Sequence, residues 1–215
     1  MAYSFYLVIV LDVSSRKGCG RVKKVYITFI TIIYLLLMSI YWQTLSADES
    51  YKDGQRIMKQ GNFEVALEQA NKSISKNPRE PRYYYGRAKI LLAATSEQEQ
   101  KIISEYKVDA AKDLIRAKAL NPNNLVTHRN IIPLYYFLGI ADLQQPSAVD
   151  NTDEDFIEIV KGYYQSIKHF STNDVGIYTL LAKYESKLGL EKELNESLDN
   201  IRRLRPDLLE WYLTQ

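Results

Sequence analysis

The sequence predicts an all-α protein in which one transmembrane helix precedes a solenoid of about four helical hairpins. Residues 25–47 contain no charged side chain, which is typical of a membrane-spanning helix. From Gly54 onwards, small residues recur at fixed intervals and each series ends at a proline, a pattern typical of stacked helix pairs. The single cysteine, Cys19, excludes a disulfide within this chain, so packing must stabilise the fold.

The apolar run Val25–Trp42 is the core of the predicted transmembrane helix, which we place at residues 25–46. Its 18 residues would measure about 27 Å as a helix, close to the thickness of a bilayer core. Tyr26 lies near one end and Tyr41 near the other, where amphipathic rings favour the membrane interface.

Charged residues flank this run asymmetrically. Basic side chains precede it and acidic ones follow it: Arg21, Lys23 and Lys24 on one side, Asp48 and Glu49 on the other. The positive-inside rule then predicts that residues 1–24 form a short cytoplasmic segment and that the domain from residue 47 lies in the periplasm or outside the cell.

Alternatives for this end of the chain stay open at the level of sequence. The small residues at Thr44–Ala47 also suit a cleaved signal peptide, although the apolar run is long for one. A buried helix is disfavoured because the run is apolar on every face. If translation begins at Val22, residues 1–21 are not native. Cys19 is expected to be a free thiol, with acylation as the alternative.

Residues 47–80 form the clearest helix-turn-helix unit, with its turn at Lys59–Phe63. A proline follows where the second helix should stop. The key positions Gly54, Ala66, Ser73 and Pro78 are separated by 12, 7 and 5 residues. The same spacing recurs at Ala182, Leu194, Ile201 and Pro206, and its last two intervals recur at Ala110, Ala117 and Pro122.

This spacing resembles the tetratricopeptide repeat (TPR) family over about 160 residues, although the tryptophan of the family's first helix is absent. The resemblance implies a TPR-like domain at 47–215. Its units would be 47–80, 81–124, 125–174 and 175–208, with an end-cap at 209–215. Such a cap is needed because each repeat buries its apolar face against a neighbour.

The unit at 81–124 is longer than the first. Ala88 takes the small-residue place of its first helix, ten residues further from Ala110 than the spacing requires. The additional residues are predicted to extend the second helix, which we place from about Glu97 to Leu120. Ser96 and Glu99 form a capping-box pattern at its start.

The unit at 125–174 diverges most. Pro133 should kink or begin a helix there. A polar, proline-containing stretch at 144–155 predicts an exposed loop. Thr152 and Asp155 are then expected to cap a helix that ends near Phe170.

Charge and residue patterns exclude several classes of function. Residues 47–215 carry a net charge of −2, so the basic footprint of a nucleic-acid binder is missing. The histidines His128 and His169 lie 41 residues apart with no cysteine or second histidine at ligand spacing, so each is expected on a helix surface or in packing. No glycine-rich phosphate loop or nucleophile–base pattern is present. We therefore expect a protein that is not an enzyme and holds no cofactor or metal.

The TPR resemblance also implies a binding face, because the first helices of that family line a concave groove that often binds peptides. By repeat register, the groove residues would be Tyr51, Gln55, Met58, Arg82, Tyr85, Lys89, Arg129, Tyr136, Thr179, Lys183 and Lys187. This set is basic and aromatic, which favours a protein or peptide partner with carboxylates or phosphates, such as an acidic extended peptide. The alternative is that these side chains are only solvated or packed.

Two functions follow from these patterns. The first is a single-pass, membrane-anchored scaffold of the cell envelope that binds a protein or peptide partner on the extracytoplasmic side. The second comes from the order of membrane helix, acidic linker and the repeat sequence NPREPRYYYGRAKI. That order resembles the C-terminal end of bacterial O-antigen ligases and polysaccharide polymerases. The chain would then be an accessory or split part of such a system.

Overall fold

The described residues fold into α-helices joined by turns and loops. The structure, a computed structural model, describes residues 20–95, 100–143, 145 and 151–208. Its helices are α1 Gly20–Met58, α2 Phe63–Lys76, α3 Pro81–Ala94, α4 Gln100–Leu120, α5 Leu125–Leu138, α6 Glu154–Phe170, α7 Val175–Lys187 and α8 Glu191–Leu204. Extended pairing within these residues is limited to one isolated bridge. The predicted all-α class is confirmed, whereas the Ser96–Glu99 capping box and the end-cap at 209–215 lie outside the described residues.

The chain divides into two compact units between Ser46 and Ala47. In the first unit, α1 exposes large apolar side chains on every side, including Val25, Leu36 and Trp42. An 18-residue window of this helix has a mean hydropathy of 2.0, and none of the window is buried. By length and composition this helix can cross a membrane, and a signal sequence meets the same criteria.

In the second unit, the described helices form four hairpins. The end of α1 pairs with α2, α3 with α4, α5 with α6, and α7 with α8. The first helices of successive hairpins also pack together, α3 against α5 and α5 against α7. Packing between neighbouring hairpins is the arrangement expected of a helical-repeat solenoid.

The small residues that define the repeat lie where helices approach closely. Ala66, Ala70 and Ser73 are buried in the first hairpin. A Cβ atom at Gly54 would lie 3.2 Å from the backbone oxygen of Ala66, so a larger side chain there would push the two helices apart. The equivalent positions in the other hairpins are also buried: Ala88, Ala110, Ala117, Ala182 and Ile201.

Short polar residues act as N-caps for three of the helices that follow turns. Asn62, Asn124 and Asp174 each accept a hydrogen bond from the backbone N–H three residues later. Such N-caps satisfy a donor that the helix leaves unpaired, and each contributes about 1 kcal/mol. The positions of the hairpins along the chain are therefore encoded locally.

The predicted cap of α6, Thr152, is wrong. Asp153 caps this helix by accepting a hydrogen bond from the N–H of Asp155. Thr152 is instead held in the isolated bridge with Ile140, because the loop returns alongside the end of α5. Sequence spacing alone does not reveal this pairing, which joins residues 12 positions apart.

Two consecutive tyrosines at the start of α3 are both buried. The 100° step between neighbouring helical residues predicts that Tyr83, Tyr84 and Tyr85 cannot all enter one core. Tyr83 and Tyr84 are nevertheless buried, and Tyr85 is half-buried. The reason is that α3 packs against helices on more than one side, including α2, α4 and α5.

Candidate functional site

The predicted groove residues of the first hairpin take part in packing between hairpins. The side-chain amide of Gln55 donates to the Gly86 carbonyl oxygen at 3.1 Å. The Tyr51 ring lies 5.4 Å from the Tyr83 ring, and a Cβ at residue 86 would overlap the Tyr51 ring. Met58 packs against the small buried cluster formed by α2 and α3. These three side chains join the first two hairpins and are only partly accessible.

The two predicted groove arginines are paired with carboxylates. Arg82 Nε lies 2.8 Å from Glu80 Oε1, and its Nη2 lies 3.4 Å from Asp48 Oδ1. Arg129 Nη2 lies 3.0 Å from Asp174 Oδ2. Their positive charge is therefore largely compensated within the repeat domain, and an anionic ligand would have to compete with these partners.

The three predicted groove lysines differ from the arginines. Lys89, Lys183 and Lys187, called here the lysine set, are exposed. Within the described chain, none of them has a carboxylate at ion-pair distance. Lys187 Nζ lies 5.6 Å from the centre of the Tyr136 ring, and Lys183 Nζ lies 5.6 Å from that of Tyr184. Ring faces stabilise a cation without cancelling its charge, so these ammonium groups remain available to an anion.

The remaining predicted groove residues, Tyr85, Tyr136 and Thr179, differ in their exposure. Tyr136 is only 2% exposed, and the Lys187 ammonium group lies over the face of its ring. Burial raises the pKa of Tyr85 to about 12, so its hydroxyl stays protonated at neutral pH and can donate a hydrogen bond. Thr179 is exposed and donates its hydroxyl hydrogen to the Val175 carbonyl oxygen at 2.9 Å. On this face, the ammonium groups of Lys183 and Lys187 therefore lie next to tyrosine rings.

An apolar pocket opens beside Lys89. It has a volume of about 420 Å³, within the range of about 300–1,000 Å³ typical of small-ligand pockets. It is lined by Phe63, Lys89, Leu92, Ala93, Leu134, Phe137 and Leu143. Among the described residues that line it, Lys89 is the one that carries a charge, so the pocket combines an apolar interior with a cation.

Sequence reasoning found only Lys89 among these lining residues. Phe137 had a signal, because consecutive side chains of the run Leu134–Leu138 cannot all face the core of one helix. Phe63 and Leu143 had none. Phe63 is the first residue of α2 and Leu143 lies in the inserted loop after α5, so both lie outside the register of the first helices.

His128 is a packing residue. It is fully buried, and its Nε2 lies 2.7 Å from the Pro122 carbonyl oxygen, which can only accept a hydrogen bond. Nε2 therefore carries the hydrogen, and Nδ1 accepts from the Tyr163 hydroxyl at 3.1 Å. Burial lowers the pKa of His128 from its ordinary value of 6.5, and the nearby Lys118 lowers it further.

We expect this histidine to make the repeat domain less stable in mild acid. Because the unfolded chain binds the proton more readily than the folded chain, the stability is fully present above about pH 6.5 and is lost as the pH falls towards the lowered pKa. Urea denaturation between pH 8 and pH 5 measures the effect. His128→Phe should remove this part of the pH dependence and His169→Gln, at an exposed position, should keep it. Equal slopes in wild type and His128→Phe would contradict the assignment.

The described residues contain no group of three His, Cys, Asp or Glu side chains placed to hold a metal ion. The first-helix face provides groups suited to non-covalent binding. It offers ammonium groups, protonated phenols and an apolar pocket, which together suit a ligand that carries both anionic and apolar groups.

The paired helices define a TPR-like helical-repeat fold. No protein-family model matches the chain, and no curated protein matches it. Among solved structures, it is similar to the crystal structure of a thermophilic TPR protein from Thermus thermophilus, with 13% sequence identity and a TM-score of 0.36. The match covers 79% of this chain and 96% of that chain. The resemblance to O-antigen ligases and polysaccharide polymerases stays a prediction from sequence.

Proposed function

We propose that this chain is a membrane-anchored, non-catalytic scaffold whose first-helix face binds an acidic, extended peptide segment outside the cytoplasm. The observation that carries the proposal is the lysine set. The groove arginines Arg82 and Arg129 have carboxylate partners, whereas Lys89, Lys183 and Lys187 have none among the described residues. Uncompensated cations in a domain of net negative charge mark a place where an anionic partner gains attraction without displacing an internal one.

The stacking of the first helices supports an extended ligand. Lys89 lies on α3 and Lys187 on α7, and both of these helices pack against α5. The pocket beside Lys89 includes Leu134 and Phe137 of α5, and the ring beneath Lys187 is Tyr136 of the same helix. A ligand that contacts both lysines therefore crosses the end of α5, which suits a peptide rather than a single small anion.

The apolar helix of the first unit and the charges on either side of it support the proposed anchor and its orientation. The exposed apolar face of α1 needs an apolar environment, and the bilayer supplies one. Basic residues before the run and acidic residues after it support an outer position of the repeat domain under the positive-inside rule. The scaffold would thus present its lysines to envelope or extracellular partners.

Charge reversal of the lysine set tests the proposal. Lys89→Glu, Lys183→Glu and Lys187→Glu combined should reduce partner capture roughly tenfold or more, because several attractive contacts become repulsive. Affinity-tagged full-length chain is recovered from native membranes in mild detergent, and captured proteins are quantified by mass spectrometry. Capture by wild type should also weaken with added salt, because exposed charges are screened.

A matched triple variant on the second helices provides the control. Lys72→Glu, Arg116→Glu and Lys192→Glu change the net charge equally at exposed positions of α2, α4 and α8. This control should capture the same partner as wild type. Equal loss in both triple variants would show that only net charge matters, and unchanged capture by the lysine-set variant would refute the proposal.

A further inference from the structure

The apolar pocket beside Lys89 gives the binding face a means of choosing among acidic peptides. Its walls come from three sources: α3, α5, and two residues outside the first helices, Phe63 and Leu143. Phe63 stands at the start of α2, and Leu143 lies in the loop that lengthens the third unit. The pocket therefore depends on a feature particular to this chain as well as on the repeat.

The chemistry of the lining limits the occupant. Leu92, Leu134, Phe137 and their apolar neighbours provide no hydrogen-bonding side chain, so a polar group placed inside would lose its water without compensation. Among the described lining residues, Lys89 alone carries a charge, and it lacks a carboxylate partner in the described part of the chain. An apolar group in the pocket and a carboxylate beside it would satisfy both features.

We infer that the pocket binds a bulky apolar side chain, such as Leu, Phe or Trp, of a peptide that carries an Asp or Glu close to it in sequence. This inference rests on the proposed function and names the ligand chemistry of the same face. The apolar side chain leaves water, and the neighbouring carboxylate pairs with the Lys89 ammonium group. Burial of one such side chain raises affinity roughly 10- to 100-fold over alanine at that peptide position.

Selection from a displayed library of random 12-residue peptides tests this ligand chemistry without a known partner. The full-length chain in mild detergent is the bait, and the selected peptides are sequenced. With wild type we expect enrichment of Leu, Phe or Trp within two residues of an Asp or Glu. Synthetic versions of the selected peptides, with the apolar residue replaced by alanine, should bind at least roughly tenfold more weakly by fluorescence anisotropy.

Two alanine-to-leucine variants separate the pocket from the rest of the face. Ala93→Leu fills the pocket with a residue of high helix propensity. It should abolish the apolar preference while acidic residues stay enriched. Ala119→Leu makes the same substitution at an exposed position of α4 and should select the same peptides as wild type.

The outcomes distinguish this inference from the proposed function. Two results would overturn the inference about the pocket but not the proposed binding by the lysine set. The first is enrichment of acidic residues without an apolar preference in wild type. The second is an apolar preference that persists in Ala93→Leu. Loss of all enrichment in the lysine-set variant, with the apolar preference present in wild type, supports both. Failure of wild type to enrich any acidic peptide overturns both.

Discussion

Replacing Lys168 with alanine is expected to lower the free energy of unfolding by about 3–5 kcal/mol, the usual cost of breaking a buried ion pair on one side. Lys168 is only 4% exposed, and its Nζ lies 3.0 Å from Oε1 of the fully buried Glu185. The same Nζ donates to the Glu193 carbonyl oxygen at 2.7 Å and to Glu196 Oε2 at 3.1 Å. One ammonium group thereby joins α6, α7 and α8.

The remaining partner explains the size of the effect. Ser197 Oγ donates to Glu185 Oε2 at 2.6 Å, but without Lys168 this carboxylate keeps its charge in a buried place. Burial already raises the pKa of Glu185, and Ser197 and Lys168 oppose that rise. In the Lys168→Ala variant the pKa should rise further. The folded state then binds the proton more tightly, so the loss of stability should be smaller at pH 5 than at pH 8.

Urea denaturation of the full-length chain, followed by circular dichroism, measures this prediction. Lys161→Ala is the matched control on the same helix. Lys161 pairs with the exposed Glu158 at 2.8 Å, so its loss should cost less than about 1 kcal/mol. Lys168→Met combined with Glu185→Gln should recover much of the stability, since it removes both buried charges and keeps an acceptor for Ser197. A loss below that of Lys161→Ala would contradict the prediction.

Lys107→Ala is expected to open the long loop between α5 and α6, at a cost of about 2–3 kcal/mol. Lys107 is 1% exposed and lies in the first half of α4. Its ammonium group donates to the Ile140 carbonyl oxygen and, at 2.6 Å, to Asp153 Oδ2. It also lies 5.5 Å from the centre of the Phe156 ring. The smaller expected cost reflects Asp153, which retains some contact with water.

Hydrogen exchange locates this effect. The N–H of Ala141 donates to the Asn151 carbonyl oxygen, and that of Asp153 donates to the Gly139 carbonyl oxygen. Both amides should exchange faster in Lys107→Ala. Because Leu143 lies in the same loop and lines the apolar pocket, the variant should also weaken the apolar preference of selected peptides.

Lys112→Ala is the control on the same helix. Lys112 pairs with Asp109 at 2.8 Å, and both side chains are exposed, so protection of the loop amides should be unchanged. Asp153→Asn should have a milder effect than Lys107→Ala, because asparagine still caps α6 and accepts a hydrogen bond. Wild-type protection in Lys107→Ala would show that the loop is held by other contacts.

The two buried lysines show why sequence predicts the repeat units better than the contacts between those units. Lys107 lies on the lengthened second helix of the second unit, and its acceptors lie in the loop that lengthens the third. Each extension was recognisable as a departure from the repeat spacing. Their mutual packing was not, because lysine is rarely buried and nothing in the local pattern marked it as core.

For the predicted groove residues as well, sequence predicts the helix on which a residue lies but not the partners of its side chain. Repeat register placed Lys89, Lys183 and Lys187 on the first helices, and the structure leaves them without carboxylate partners among the described residues. Register placed Arg82 and Arg129 there equally, but tertiary packing brings Asp48, Glu80 and Asp174 to them. Sequence assigns a residue to a helix face, whereas its charge balance depends on side chains from other segments.

The sequence by itself determined the helical hairpins, the small residues at their crossings and the long apolar helix. These features follow from periodic spacing, caps and composition, which act over a few residues and can be read locally. Only the tertiary structure decided the burial of Lys107 and Lys168, the pairing of the arginines and the pocket beside Lys89. Each of these requires contact between groups that are distant in sequence. Only that contact pairs the buried charges and carbonyl groups, which would otherwise cost free energy.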